Sequence, residues 1–116
     1  MRRIISSGSA KCILIDKEAL LEKLRKISTE AVKRFPEIED IRIFGSFAKN
    51  QQTGLSDVDI IIISKTKEMH PIERIKPYFN FFSEHLNIAI DLLVAKPEEL
   101  DNFKDVLKES FSLLKK

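Results

Sequence analysis

The chain has one cysteine, no long apolar run and no excess of charge of one sign, and each absence excludes a class of protein. With Cys12 alone, no disulfide can form within the chain, which fits a reducing cytosol. Only Ile4 and Ile5 precede a Ser/Gly-rich stretch, too little for a signal-peptide core or a membrane span. The net charge of +2 gives no strong indication of membrane or nucleic-acid binding. We therefore expect a cytoplasmic protein.

Patterns for covalent catalysis and for a histidine metal centre are also missing from the sequence. No Ser/His or Cys/His pattern indicates a catalytic nucleophile, and His70 and His85 stand apart from other ligand types. At 116 residues, the chain is long enough for one core and too short for two. We expect a flexible, basic, Ser/Gly-rich N-terminal segment, 1–10, followed by a single domain, 11–116.

Apolar periodicity predicts three helices and three strands. In chain order these are a helix from Asp16 to Pro36, strands over 39–44 and 57–64, a helix over 69–86, a strand over 88–95 and a helix that begins at Pro97. Pro77 lies inside the second helix and predicts a kink or a break there. The third helix is expected to continue to the C-terminus, with one apolar face formed by Leu100, Phe103, Leu107, Phe111 and Leu114. This order predicts an α/β (α+β) domain in which helices cover a small mixed sheet.

The stretch 45–59 carries the strongest chemical pattern. Gly45-Ser46 follows one apolar run, and Asp57-x-Asp59 opens the run of isoleucines at 60–63, whose continuity predicts burial on both faces. Residues two apart on a strand share a face, so both carboxylates would reach one hard cation or bridge two. Backbone N–H groups and the Ser46 hydroxyl at a turn can meet a phosphate. The pattern indicates metal-assisted phosphoryl or nucleotidyl transfer; the alternatives are a turn aspartate at Asp57 and a helix N-cap at Ser46.

Asp91 is the second acidic signal. It is a lone carboxylate in the apolar strand 88–95, and burial of such a group is costly unless it is paired or bound to metal. The alternative is a residue near the strand end that simply reaches water.

The two-part motif of this stretch, in which ten residues separate Gly45-Ser46 from Asp57-x-Asp59, resembles the signature of the DNA polymerase β-type nucleotidyltransferase superfamily. Within it, the chain is most similar to the minimal nucleotidyltransferases, small bacterial and archaeal proteins often paired with a HEPN-domain partner in toxin–antitoxin modules. The resemblance extends from about Asp16 to the C-terminus. It implies a polymerase β-like nucleotidyltransferase fold for the domain.

The resemblance also implies roles for particular residues. Asp57 and Asp59 would hold two Mg²⁺ ions that bridge a nucleoside triphosphate. Asp91 would supply the third catalytic carboxylate, hold the second ion and take the proton of the attacking hydroxyl. Gly45 and Ser46 would hold the β- and γ-phosphates.

Lys49 is a departure from the family's pattern. Relatives commonly read Ala-Arg-Gly where this chain reads Ala48-Lys49-Asn50. Lysine keeps the positive charge but loses the bidentate fork of arginine, which puts a phosphate contact there in doubt. Lys49 is thus either a nucleotide-binding residue or a solvated surface lysine.

The function that follows from the resemblance is transfer of AMP from ATP to a hydroxyl, a tyrosine of a HEPN-type toxin, by an antitoxin. Polymerases and CCA-adding enzymes need further domains, for which 116 residues leave no room. Two alternatives stay open: a small-molecule nucleotidyltransferase, and a non-enzymatic module that neutralises its partner by binding. The expected partners are the HEPN-domain toxin and the nucleoside triphosphate, in a homo- or hetero-oligomer.

Overall fold

A computed structural model describes residues 2–6, 11–15, 17–45, 58–86 and 89–114. Its elements, in chain order, are β1 (Arg2–Ser6), β2 (Lys11–Ile15), α1 (Lys17–Arg34), β3 (Ile38–Phe44), β4 (Val58–Ser64), α2 (Pro71–His85), β5 (Ile90–Ala95), a 3-10 segment (Pro97–Phe103), α3 (Lys104–Lys108) and β6 (Phe111–Ser112). None of the helices described is long and apolar enough to cross a membrane.

A four-stranded mixed sheet, in the order β5-β4-β3-β6, is the centre of the fold. The β4 strand pairs antiparallel with β3 and parallel with β5, and β6 is antiparallel to β3. The mixed α/β sheet expected from the sequence is therefore confirmed. The connection from β4 through α2 to β5 is the crossover that parallel pairing requires.

One face of the sheet carries the main core beneath α1 and α2. The α1 helix buries residues at steps of three and four, from Leu20 to Ala31, as its apolar stripe predicts. These side chains pack with the apolar cluster on the sheet, which includes Ile41, Ile43, Val58, Ile60 and Ile62.

The opposite face of the sheet is also partly covered. Ile61 and Ile63 of β4 are buried there, while the 3-10 segment contacts β5 and α3 contacts β3. The isoleucine run is thus buried on both faces, as its continuity predicts. One end of this second face carries Phe44, Asp59 and Asp91.

The predicted C-terminal helix is wrong. Residues 97–108 form a 3-10 segment and a short helix, and Phe111 instead pairs with Ile43 in β6. Side-chain hydrogen bonds explain the change: Arg42 Nε donates to Ser110 Oγ at 2.7 Å, and Ser112 Oγ donates to Asp40 Oδ1 at 2.6 Å. These contacts hold the segment in an extended form against the sheet edge and override its helical periodicity.

Of the kink or break expected at Pro77, the break does not occur, because α2 continues from Pro71 to His85 as one helix. Because Pro77 is exposed, the carbonyl that loses its N–H partner is on the helix surface and is not sealed in the core. At the N-terminus, β1 and β2 form a separate antiparallel two-stranded sheet, and β1 lies within the segment 1–10 that was expected to be flexible.

Candidate active site

The two acidic residues on neighbouring strands stand side by side. Asp59 is the second residue of β4 and Asp91 the second residue of β5, and the parallel register pairs their Cα positions directly. Paired residues on parallel strands point to the same face, at a strand spacing of about 4.8 Å. The fold thus brings residues 32 positions apart in sequence to one end of the sheet.

Gly45 lies against the Asp59 carboxylate. Its φ of +74° is in the left-handed region, and a Cβ built there would overlap Oδ2 of Asp59 and lie 3.0 Å from its Cγ. The absence of a side chain therefore lets the turn after β3 adopt this φ and lets its backbone approach the carboxylate. A glycine is required here for both reasons.

Phe44 is the residue at this site that sequence reasoning left without a role. It pairs with Asp59 across the antiparallel β3–β4 ladder and is half-buried on the same face. The available signal was its place directly before Gly45, since the last strand residue before a turn lies beside the site. Its ring makes the β3 side of the carboxylate pair apolar.

The burial of Asp91 differs from the expectation. Asp91 is exposed, because β5 is an edge strand and Asp91 is near its start, whereas Asp59 is half-buried. The carboxylate of Asp91 therefore reaches water, and the argument from an unpaired buried charge does not apply to it. What singles out Asp91 is its position beside Asp59.

The remaining predicted residues, Ser46, Lys49 and Asp57, lie outside the residues that the structure describes. Asp57 directly precedes Val58, the first residue of β4. Across the described ranges, no group of three or more His, Cys, Asp or Glu residues is placed to hold a metal ion. Asp59 and Asp91 supply two carboxylates, the oxygen donors that a hard divalent cation such as Mg²⁺ prefers.

A separate surface concavity is lined by Lys65, Thr66, Lys67, Lys96, Pro97 and Glu98. It lies at the carboxyl ends of β4 and β5, whereas the two aspartates lie at the opposite, amino ends of the same strands. It is therefore distinct from the carboxylate site, and two of its lysines are already paired, Lys65 with Glu39 at 3.1 Å and Lys96 with Glu98 at 3.8 Å.

Two carboxylates side by side at one end of a sheet are suitable oxygen donors for a divalent cation, and such a cation can stabilise the attacking and leaving oxygens in phosphoryl transfer. Comparison with known proteins specifies the class. Residues 24–114 match the family described as "Nucleotidyltransferase domain", and the chain belongs to this family. The protein is thus a nucleotidyltransferase.

The sequence relatives include three proteins from Methanocaldococcus jannaschii, each named as a candidate protein adenylyltransferase. One is 38% identical over 74 residues, which cover 62% of this chain and 70% of the relative. The others are 33% and 36% identical over 78 and 76 residues, covering 65% and 64% of this chain and 70% and 69% of their own lengths.

Solved structures show the same fold. A crystal structure of a candidate nucleotidyltransferase from Sulfolobus solfataricus has a TM-score of 0.62 and 28% identity, over 83% of this chain and 80% of that one. A chain in the crystal structure of a toxin–antitoxin complex with AMP-PNP has a TM-score of 0.52 and 20% identity, over 85% of this chain and 73% of that one.

Proposed function

We propose that this protein is a Mg²⁺-dependent adenylyltransferase that moves AMP from ATP onto a tyrosine hydroxyl of a HEPN-domain toxin in the cytoplasm, and so acts as an antitoxin. The observation that carries the proposal is the direct pairing of Asp59 with Asp91 beside Gly45 in a nucleotidyltransferase domain. The relatives named as protein adenylyltransferases support a protein acceptor. The likeness to a chain of a toxin–antitoxin complex supports the kind of partner.

The proposed reaction is one in-line displacement without an enzyme-bound intermediate. The acceptor oxygen forms a bond to the α-phosphorus of ATP, the bond from that phosphorus to the β-phosphate oxygen breaks, and pyrophosphate leaves. The hydroxyl proton passes to the carboxylate of Asp91, which is exposed and therefore accessible to an acceptor side chain.

Asp57, Asp59 and Asp91 would hold two Mg²⁺ ions, for which the adjacent carboxylates of Asp59 and Asp91 are suitable oxygen donors. When bound, the metal supplies charge neutralisation on the phosphates and a Lewis acid at the α-phosphate. The close approach of the Gly45 turn, which leaves no room for a Cβ beside the Asp59 carboxylate, would position Asp59. In this proposal Gly45, Ser46 and Lys49 bind the triphosphate.

The test is the intact mass of the protein encoded next to this one after incubation with this protein, ATP and Mg²⁺, with peptide fragmentation to locate the modified residue. We expect a gain of whole AMP units on a tyrosine. Asp59→Asn and Asp91→Asn keep side-chain shape but remove a charge, and each should slow transfer about 100-fold or more. Asp101→Asn, at an exposed aspartate of the 3-10 segment, is the matched control and should transfer AMP at the wild-type rate.

A stable complex without any mass gain would contradict the transferase proposal and favour neutralisation by binding alone. Transfer to small hydroxylated compounds with no transfer to the protein would contradict the proposed acceptor.

A further inference from the structure

The second face of the sheet, opposite α1 and α2, carries its side chains in rows that the strand register defines. The row at the carboxylate end consists of Phe44, Asp59 and Asp91, and the row behind it consists of Arg42, Ile61 and Leu93. Ile90, Leu92 and Val94 belong to the main core on the first face, so Asp91 and Leu93 share the second face by alternation. Leu93 thus lies directly behind Asp91 on the same strand.

The cover of this second face ends at Leu93. The 3-10 segment contacts β5, and burial along this face of the strand falls from complete at Ala95 to partial at Leu93 and to exposure at Asp91. Across the row, Ile61 is completely buried, and the guanidinium of Arg42 is hydrogen-bonded to Ser110 and Asp40. The open apolar surface of this row is therefore the uncovered part of Leu93, immediately beside an exposed carboxylate.

The order of the strands gives the direction from which an acceptor attacks; this step rests on the proposed function. Gly45 follows β3 on one side of Asp59, and Asp91 on β5 lies on the other side. In an in-line displacement, the attacking oxygen and the leaving pyrophosphate lie on opposite sides of the α-phosphorus. With the triphosphate held on the Gly45 side, the acceptor hydroxyl approaches over β5. The group that carries this hydroxyl then contacts what β5 exposes there.

We propose that Leu93 receives the aromatic ring of the acceptor tyrosine while the phenolic hydroxyl lies at Asp91, so that Leu93 determines the specificity for a phenol. The two residues are two positions apart on the strand, about 6.6 Å at about 3.3 Å of rise per residue, a separation that a phenol side chain spans. The ring loses contact with water on the leucine side chain, and its polar end remains at the carboxylate.

An apolar residue in this position selects against other hydroxyl acceptors. A sugar-like acceptor carries further hydroxyl or amino groups, and these would lose water on Leu93 without gaining a hydrogen bond. A serine or threonine hydroxyl has no ring to cover Leu93, so the leucine adds nothing to its binding. The contact therefore favours a tyrosine of a protein over a small polar molecule as the acceptor.

The first test is the steady-state kinetics of AMP transfer to the protein encoded next to this one, with acceptor and ATP varied separately. Leu93→Ala should lower kcat/KM for the acceptor about tenfold and leave the KM for ATP unchanged, because it removes apolar contact with the ring alone. Leu93→Met keeps an apolar side chain of similar volume and should retain the wild-type values. Leu21→Ala is the matched control, a half-buried leucine of α1 on the other face of the sheet, and should change neither constant.

The second test detects the ring at Leu93 without turnover. The NMR signals of the Leu93 methyl groups are recorded with Mg²⁺ and an ATP analogue that cannot transfer AMP, before and after addition of the acceptor protein. The ring current of the tyrosine should shift these signals upfield. An acceptor variant with leucine in place of the modified tyrosine should leave them unshifted.

Each contrary outcome has a distinct meaning. Transfer by the wild-type protein, with an unchanged acceptor kcat/KM in Leu93→Ala, would overturn this inference and leave the proposed function intact. A raised KM for ATP in Leu93→Ala, with unchanged acceptor constants, would overturn it by assigning Leu93 to the nucleotide. An equal loss in Leu93→Ala and Leu93→Met would overturn it in favour of a purely structural role. The absence of transfer by the wild-type protein would overturn the proposed function and this inference with it.

Discussion

Replacement of Gly45 by alanine tests the link between the glycine turn and the carboxylate of Asp59. In the structure, a Cβ at this position would overlap Oδ2 of Asp59, and the backbone φ is +74°. Gly45→Ala therefore imposes two separate costs. One is the left-handed backbone, which disfavours any L-residue with a Cβ, and the other is displacement of the Asp59 side chain.

The backbone cost sets the expected loss of stability. A non-glycine residue in the left-handed region costs about 1–2 kcal/mol, and for a domain of this size that corresponds to a fall in Tm of about 4–8 °C. The displacement of the Asp59 side chain determines the expected loss of AMP transfer. A shift of about 1 Å in a group that positions substrate or metal can slow a reaction about 100-fold, so AMP transfer by Gly45→Ala should fall by that factor.

A second substitution separates the two costs. Asparagine tolerates the left-handed region better than alanine but still has a Cβ, so Gly45→Asn should recover part of the Tm and none of the activity. Thermal unfolding measures the first quantity, while AMP transfer and calorimetric titration with Mg²⁺ measure the second. Wild-type transfer by Gly45→Ala would refute the conclusion that this close approach positions Asp59.

Two further predictions concern titratable side chains that are hydrogen-bonded in the native state. Burial raises the pKa of Tyr78 to about 12 from 10.0, so the native state keeps this proton to a higher pH than the unfolded state does. The free energy of unfolding, measured with denaturant, should therefore fall as the pH rises from about 10 to 12, and the fall should be smaller in Tyr78→Phe. The pKa of Glu99 is lowered, first by the backbone N–H of Lys96 and then by Arg74, whose Nη1 donates to Oε1 at 2.8 Å. Glu99→Gln should therefore lower the free energy of unfolding by about 2 kcal/mol near neutral pH, and it should reduce the loss of stability as the pH falls below 4.5. Glu98→Gln, at an exposed position, should do neither.

Several elements could be predicted because a strong local pattern coincides with the tertiary environment. The apolar stripe of α1 continues for five turns and ends at Pro36, and the structure ends the helix at Arg34. The isoleucines at 60–63 can only be accommodated where both faces of a strand are covered, which places β4 at the centre of the sheet. In both cases burial of the side chains and local preference favour the same structure.

The C-terminal segment shows where local pattern fails. Phe103, Leu107, Phe111 and Leu114 have helical spacing, yet Ser110 and Ser112 bind residues 68 and 72 positions earlier in the chain. The guanidinium of Arg42 donates to both the hydroxyl and the carbonyl of Ser110, while Asp40 accepts from Ser112. Such long-range partners leave no periodic trace in the sequence, so the strand could not have been predicted from it.

The candidate site combines both situations. The aspartates were found from their residue type, but their adjacency depends on strand order and direction: had β4 and β5 been antiparallel, Asp59 and Asp91 would lie at opposite ends of the ladder. The crossover through α2 makes the pairing parallel, and the register Val58 to Ile90 then places the second residue of each strand side by side. The same crossover leaves β5 at the edge of the sheet, which exposes Asp91 to an acceptor. The adjacency of the two carboxylates and the access to them thus have one structural cause, the crossover that makes β5 parallel to β4 and leaves it at the end of the strand order.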